Sequence, residues 1–308
     1  MRALIVGASG FNGGALADRL LATGHLVRGF VRDPARAAPG LTEVVRGDAV
    51  TGAGLDQALD GMDVAFYFVH SLGPSGRRTD ERDSQAARRF AAAARSAGLP
   101  RAVFLTTLAP PAAVALPPYQ RNRLEVERII LTGVPGATAV RAGMVIDAHS
   151  RAFRPYLRLV QRLPILPLGP WRTRRVAVVD PGTVTEALLT AATDPALAGL
   201  TLDVPASAHP THEQLLHAVA NALGRTLHIV RAPLSNSRLD AALLAALTGE
   251  TYNFCRYLAD TNKHDYTVNP TLSRPLSHLT PHPLHQTLQD TLHHLNNTPT
   301  PTTPNTTQ

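Results

Sequence analysis

Lysine is almost absent from this 308-residue sequence: Lys263 is the only one, so 29 of the 30 basic residues are arginine. A mechanism that needs a buried amine of adjustable pKa must use Lys263 or do without, because arginine keeps its proton. Cysteine is equally scarce. Cys255 stands alone, which excludes an internal disulfide and fits a reducing compartment. Long apolar runs are missing as well. The run Ala3–Gly7 is too short for the core of a signal peptide. Ala241–Leu247 falls far below the roughly 18 residues of a membrane helix. A soluble, cytoplasmic protein without a membrane partner is expected. Aromatic residues make up 5%, and no basic run is interleaved with them as single-strand nucleic-acid binding requires. The net charge of +7 therefore does not predict a nucleic-acid partner. With abundant Ala, Pro, Gly and Thr, the arginine excess reads as the codon bias of a GC-rich, bacterial genome.

What is present is a globular balance of 44% hydrophobic and 17% charged residues. The length suits two domains or one large α/β unit with an annex. Short β-branched runs alternate with helical patterns over the first 145 residues, the mark of βαβ units and a parallel sheet. Strands are expected at Arg2–Val6, Leu26–Val31, Thr42–Arg46, Asp63–Val69, Ala102–Thr106 and Ala137–Arg141. Helices are expected at Phe11–Thr23, Asp80–Ala97 and Arg123–Leu131. Later come strands at Arg175–Val179 and Leu200–Val204, and helices at Gly182–Ala192, Thr211–Leu223 and Ser235–Leu247. The pattern predicts an α/β fold, a Rossmann-type doubly wound parallel sheet with a smaller C-terminal substrate lobe. Residues 1–150 form the nucleotide-binding core, completed by about 175–205; 151–174 and 206–295 form the lobe and a lid. Residues 296–308 contain no apolar side chain and are expected to be disordered.

The strongest motif is Gly7-Ala8-Ser9-Gly10-Phe11-Asn12-Gly13-Gly14. It follows the first expected strand and opens a helix, the context that a dinucleotide fingerprint needs. Glycine lets backbone approach a pyrophosphate, and the helix start presents free N–H groups to it. At the end of the second strand, about 20 residues on, an acid would select the unphosphorylated cofactor. That position falls on Val31, followed by Arg32 and then Arg36. Guanidinium groups grip phosphate bidentately, so NADP(H) is the expected cofactor; a register shift onto Asp33 would reverse the preference.

These stretches, with Gly24-His25, Val31-Arg32-Asp33-Pro34 and Gly47-Asp48, resemble the short-chain dehydrogenase/reductase superfamily, and within it the atypical, NmrA-like NAD(P)H-binding branch. Phe66 to Gly73, Asn122 to Glu127, Arg141 to Val145 and Arg162-Leu163-Pro164 are similar to the same branch, and the likeness runs to about residue 225. The resemblance implies that Gly7, Ser9, Gly10, Phe11, Asn12 and Gly13 line the pyrophosphate. It implies that Asp48 reaches the adenine and that Val69 to Ser71 lie beside the nicotinamide ribose. It also implies a Tyr-x-x-x-Lys pair as proton donor, with a hydroxyl near the end of the fifth strand.

Here the scarcity of lysine matters. Tyr119-Gln120-Arg121-Asn122-Arg123 stands where the pair belongs, with arginine in place of lysine. Arg123 can supply charge but cannot relay a proton by losing one. The hydroxyl would come from Thr106 or Thr107, and the usual position can also fall on Leu108. If Tyr119 is not the acid, His70, a water or a phenol of the substrate would provide the proton. Tyr119, Arg123, Thr106 and His70 are thus the candidate catalytic residues.

Between Ser150 and Arg162, Phe153, Tyr156, Leu157 and Val160 share one helical face, and Arg151, Arg154, Arg158 and Arg162 another. This is either an amphipathic helix with a solvated basic side or a lid whose arginines attract an acidic substrate. The C-terminal histidines, among them His282, His285, His293 and His294, lack the cysteines and acids of a metal set, and no metal is expected.

The resulting expectation is an NADPH-dependent ketoreductase of a bulky small molecule, polycyclic aromatic or polyketide, serving antibiotic biosynthesis, and either monomeric or dimeric. The rivals are a non-catalytic NAD(P)(H)-binding redox sensor, a C=C reductase and a sugar epimerase.

Overall fold

Alternation of apolar and glycine-punctuated segments yields, in the computed structural model, β1 (Arg2–Val6), α1 (Phe11–Ala22), β2 (Leu26–Val31), β3 (Glu43–Arg46), α2 (Leu55–Leu59), β4 (Val64–Tyr67), α3 (Gly76–Ser96), β5 (Ala102–Thr107), α4 (Pro118–Gly133) and β6 (Thr138–Ala142). The structure describes residues 1–69, 76–110, 116–232 and 236–297. The chain continues through β7 (Met144–Val145), α5 (Arg154–Arg162), β8 (Ile165–Leu168), β9 (Val178–Val179), α6 (Pro181–Thr193) and β10 (Thr201–Asp203). It ends with α7 (His212–Ala222), β11 (His228–Arg231), α8 (Ser237–Thr248), α9 (Tyr252–Thr261), α10 (Pro270–Ser273) and α11 (Leu284–Asn297).

Seven parallel strands make the central sheet in the order β10-β6-β5-β4-β1-β2-β3. The expected Rossmann-type doubly wound sheet is what forms. Strand order reverses between β1 and β4, and in such sheets the crevice beyond the C-terminal strand ends at that point receives the ligand.

Both faces of the sheet are covered, so its inner strands are apolar throughout. Leu4 and Val6 of β1 join Tyr67, Phe90, Phe104, Val126 and Ile130 on one face. The intervening Ala3 and Ile5 join Leu16, Leu20, Phe66, Val103 and Leu188 on the other. A third core gathers Ile146, Phe153, Tyr156, Val160, Leu166, Leu216 and Leu288, all from the chain after β6. It is trimmed by two small parallel pairs, β8 with β11 and β7 with β9.

Several boundaries differ from expectation for local reasons. α4 starts at Pro118, five residues before Arg123, because a proline at the first helical position is already set for the helix. The expected strand at Arg175–Val179 is reduced to Val178–Val179, while Val176 forms a lone bridge with Tyr266. The helices α9 and α11 were not anticipated. Among the described residues no helix is long and apolar enough to cross a membrane. Most of the expected disordered tail, from residue 298 on, lies outside the described residues.

Candidate functional site

The glycine loop leaves β1 at Gly7, whose φ of 101° is a left-handed conformation open to glycine. Gly10 N–H donates to the Gly7 carbonyl at 3.1 Å, closing the turn. A Cβ at Gly13 would lie 2.6 Å from that same carbonyl oxygen, so α1 can press against the loop only with glycine there. Gly10 is the N-cap of α1; it offers no side-chain acceptor, and the first turn contains no acid. The free N–H groups and the positive end of the helix dipole are therefore unspent, which suits an anionic pyrophosphate. Ser9 is exposed, and Phe11 and Asn12 are half-buried at the same edge. One neighbour escaped sequence reading: His149 lies with its ring centroid 6.4 Å from that of Phe11, nearly parallel to it. Only the β-sheet topology brings the loop after β7 to the glycine turn.

At the end of β2, Val31 is buried in the core and cannot serve a ribose. Arg32 is exposed and has no hydrogen-bond or ion-pair partner among the described residues. The Asp33 carboxylate accepts from Ala35 N–H at 3.1 Å and caps the short turn Pro34–Arg36. At the end of β3, a Cβ on Gly47 would fall 2.3 Å from the Phe30 ring, so the chain turns there only as glycine. Asp48 uses one carboxylate oxygen to hold Val50 N–H at 2.8 Å. It shapes its own turn. Val69, after β4, is half-buried against the core. His70 and Ser71 lie outside the described residues.

Three of the candidate catalytic residues stand on two neighbouring elements, Thr106 at the end of β5 and Tyr119 and Arg123 on α4. Gln120 fastens the two: its amide donates to the Leu108 carbonyl at 2.9 Å and its oxygen accepts from the Thr107 hydroxyl at 3.3 Å. Thr107 is thereby occupied, and Leu108 is buried beside Tyr266. The Thr106 hydroxyl is buried and has no partner among the described residues. Tyr119 stands on the first turn of α4 with its ring centroid 4.1 Å from that of Tyr257 on α9. Burial raises its pKa above the ordinary phenol value, while the Arg123 cation pulls the other way and Asp83 adds to the rise. Tyr119 is a neutral phenol with a proton to give. Tyr257 is held well above the phenol range by burial, by Tyr119 and by Tyr266, so three phenols crowd one wall.

Arg123 turns inward. It is buried, its guanidinium lies 4.7 Å from the Phe104 ring centroid, and Nη2 donates to the Leu105 carbonyl at 2.9 Å. Its Nε and Nη1 have no partner among the described residues. A buried guanidinium with unspent donors is costly to leave so, and hydroxyl acceptors of a ribose would satisfy them. The uncapped α1, the close-approach glycines and these orphaned donors all fit a dinucleotide. The neighbouring Asn122 amide donates to Asp83 at 3.2 Å, joining α3 to α4 beneath the site.

The arginines just before and along α5 find partners within the protein. Arg151, Arg154 and Arg158 converge on the Glu250 carboxylate, at 3.5, 2.5 and 3.5 Å. Arg158 and Arg162 also donate to the Thr248 and Leu247 carbonyls at the end of α8. The basic face is partly solvated, with Arg162 exposed, and much of it is spent on Glu250 and the end of α8.

Comparison with known proteins agrees with this geometry. Residues 7–124 match the family described as NAD(P)H-binding. No curated protein matches. A nucleoside-diphosphate-sugar epimerase from Staphylococcus aureus shares the fold at 18% identity and TM-score 0.74, over 94% of this chain and all of that one. A UDP-glucose 4-epimerase from Thermotoga maritima, solved with UDP-glucose, does so at 13% identity and TM-score 0.75, over 96% of this chain and 99% of that one. A short-chain dehydrogenase/reductase superfamily protein from Agrobacterium tumefaciens, solved with bound NAD, covers 85% of this chain and 97% of its own at 21% identity and TM-score 0.64.

Proposed function

We propose that this chain is an NADPH-dependent ketoreductase acting on a bulky aromatic, polyketide-type carbonyl. The observation that supports it most directly is Tyr119, a phenol kept neutral by burial beside the Arg123 cation. The dinucleotide would be held by Gly7, Ser9, Gly10, Phe11, Asn12 and Gly13 at its pyrophosphate, with Asp48 and Val69 along its two ends. When bound it supplies the hydride. The exposed, unpartnered Arg32 supports a 2′-phosphate, since Asp33 is already spent on its own turn. Tyr119 holds the proton that a reduced carbonyl oxygen takes up. The buried Thr106 hydroxyl, free of protein partners, orients that oxygen, and Arg123 favours the phenolate left behind. His70 remains the alternative proton source. The ring walls of Tyr119, Tyr257 and Tyr266 support an aromatic substrate.

One observation favours a second reading, a dinucleotide sensor without turnover. Arg123 is already engaged by the Leu105 carbonyl and the Phe104 ring. Incubating the protein with NADPH and a panel of quinones, aromatic ketones and UDP-glucose separates the two. NADPH oxidation by an aromatic carbonyl, lowered about a hundredfold or more in Tyr119→Phe, is the expected result, with Arg32→Ala weakening NADPH far more than NADH. Tight binding without oxidation of any panel member would favour the sensor, and turnover of UDP-glucose alone would favour an epimerase.

A further inference from the structure

A cavity of about 170 Å3 lies in the third core, between α5, β8, α7, α8 and α9. Its walls are mainly leucine, among them Leu159, Leu166, Leu216 and Leu244, with Trp171 and Tyr156 contributing ring faces. Leu243, also in the lining, is half-exposed, so the cavity reaches the surface. None of its lining residues belongs to the glycine loop, to α4 or to the central strands. It is a separate site from the dinucleotide crevice.

Polar groups in the wall are few, and two of them, Tyr156 and Asn262, are bonded to each other. The Tyr156 hydroxyl shares a hydrogen bond with His212 Nδ1 at 2.7 Å and accepts from the Asn262 amide at 3.3 Å. The Asn262 side-chain oxygen has no protein partner among the described residues, although Asn262 lines the cavity. Asp240 stands in the same wall and disfavours an anion. For scale, a Leu/Ile/Phe-lined cavity of about 150 Å3 stays dry and accepts benzene. Small-molecule sites share this form, apolar walls with a small number of orienting polar groups.

The geometry points to a binding pocket for a neutral six-membered ring bearing one hydroxyl, phenol-sized, with the hydroxyl donating to Asn262. α9 links the pocket to the catalytic wall: Leu258, Ala259 and Asn262 line the cavity, while Tyr257 packs on Tyr119.

Trp171 is the only tryptophan in the chain and stands in the wall of this pocket, so its fluorescence is a reporter at that wall. The intact protein, without dinucleotide, is titrated with 4-bromophenol and with bromobenzene, whose bromine quenches a neighbouring indole. Saturable quenching is expected, with 4-bromophenol preferred about tenfold for one hydrogen bond. Ala259→Leu, which fills the cavity, is expected to remove saturation. Asn262→Leu is expected to keep bromobenzene binding and bring the preference to about one, so a folding defect in the first variant leaves the test intact. Quenching that never saturates, or that appears only when NADPH is added, overturns the proposal. So does saturation unchanged by Ala259→Leu, or a phenol preference unchanged by Asn262→Leu.

Discussion

At Gly13 a methyl group would sit 2.6 Å from the Gly7 carbonyl oxygen, whereas at Gly14 it would meet nothing within 4 Å. The two residues are adjacent on the first turn of α1, yet only one is needed for the loop to close against the helix. Gly14 lies in helical conformation, where glycine is less favourable than alanine by about 1 kcal/mol. Gly14→Ala is therefore expected to raise stability by about 0.5–1 kcal/mol in thermal or urea unfolding and to leave dinucleotide affinity unchanged. Gly13→Ala is expected to weaken dinucleotide binding at least tenfold, read by fluorescence titration, because the loop must open to admit the methyl. Equal effects at both positions would show that the close approach is not what holds the loop. This spacing was legible in the sequence, since a glycine run between a β-branched strand and a helix has one physical use. The sequence alone did not separate the required glycines from the spare one, which depends on where the Gly7 carbonyl points.

Among the elements, α5 shows why a correct periodicity leaves a function open. Its apolar stripe, Phe153, Tyr156, Leu157 and Val160, is buried as the spacing predicts. Its arginines read as a charged face with no indication of a partner, because the partners stand some 90 residues later at the end of α8. There Glu250, with a side chain only 4% exposed, meets three guanidinium groups. Replacing that carboxylate leaves like charges converging on a buried neutral amide. Glu250→Gln is expected to destabilise the protein by about 2–3 kcal/mol, below the range for a fully buried pair because the arginines are about one-third exposed to solvent. Chemical denaturation measures it; a loss below about 0.5 kcal/mol would mean that the carbonyls of α8 alone hold α5. The spacing of the candidate pair was legible in a similar, partial way. Tyr119 and Arg123 are four residues apart on one helix, but the inward turn of Arg123 onto Phe104 is a tertiary event. So is the arrival of Tyr257 from α9, whose short helix has no strong sequence signal. α11 had one: Leu284, Leu288, Leu292 and Leu295 recur at helical spacing, hidden among histidines that drew the eye to metals.

Across the whole molecule, two buried titratable groups tie segments after β6 together and respond to pH in opposite directions. Asp203 accepts from Asn269 N–H at 2.8 Å, and burial raises its pKa above the ordinary carboxylate value. The folded state thus holds its proton more tightly than the unfolded one, and the group's contribution falls as pH rises past the carboxylate range. His212, on α7, is bonded to Tyr156 on α5 and packs edge-on to Trp171 at 5.5 Å. Burial lowers its pKa from 6.5 to about 4. Between those values the unfolded chain binds the proton and the folded chain does not, so stability rises with pH through that window and is lost on acidification. The displacement corresponds to about 3 kcal/mol at full extent. The stability difference between the wild-type protein and His212→Gln, followed by urea unfolding from pH 7 down to 4, is therefore expected to shift by about that amount against the wild type. A difference independent of pH would mean that the folded and unfolded chains bind this proton equally, and that burial does not shift the imidazole. The same histidine orients the Tyr156 hydroxyl in the wall of the leucine cavity. Acidification is thus expected to loosen the ring pocket, whose Tyr156 wall His212 braces.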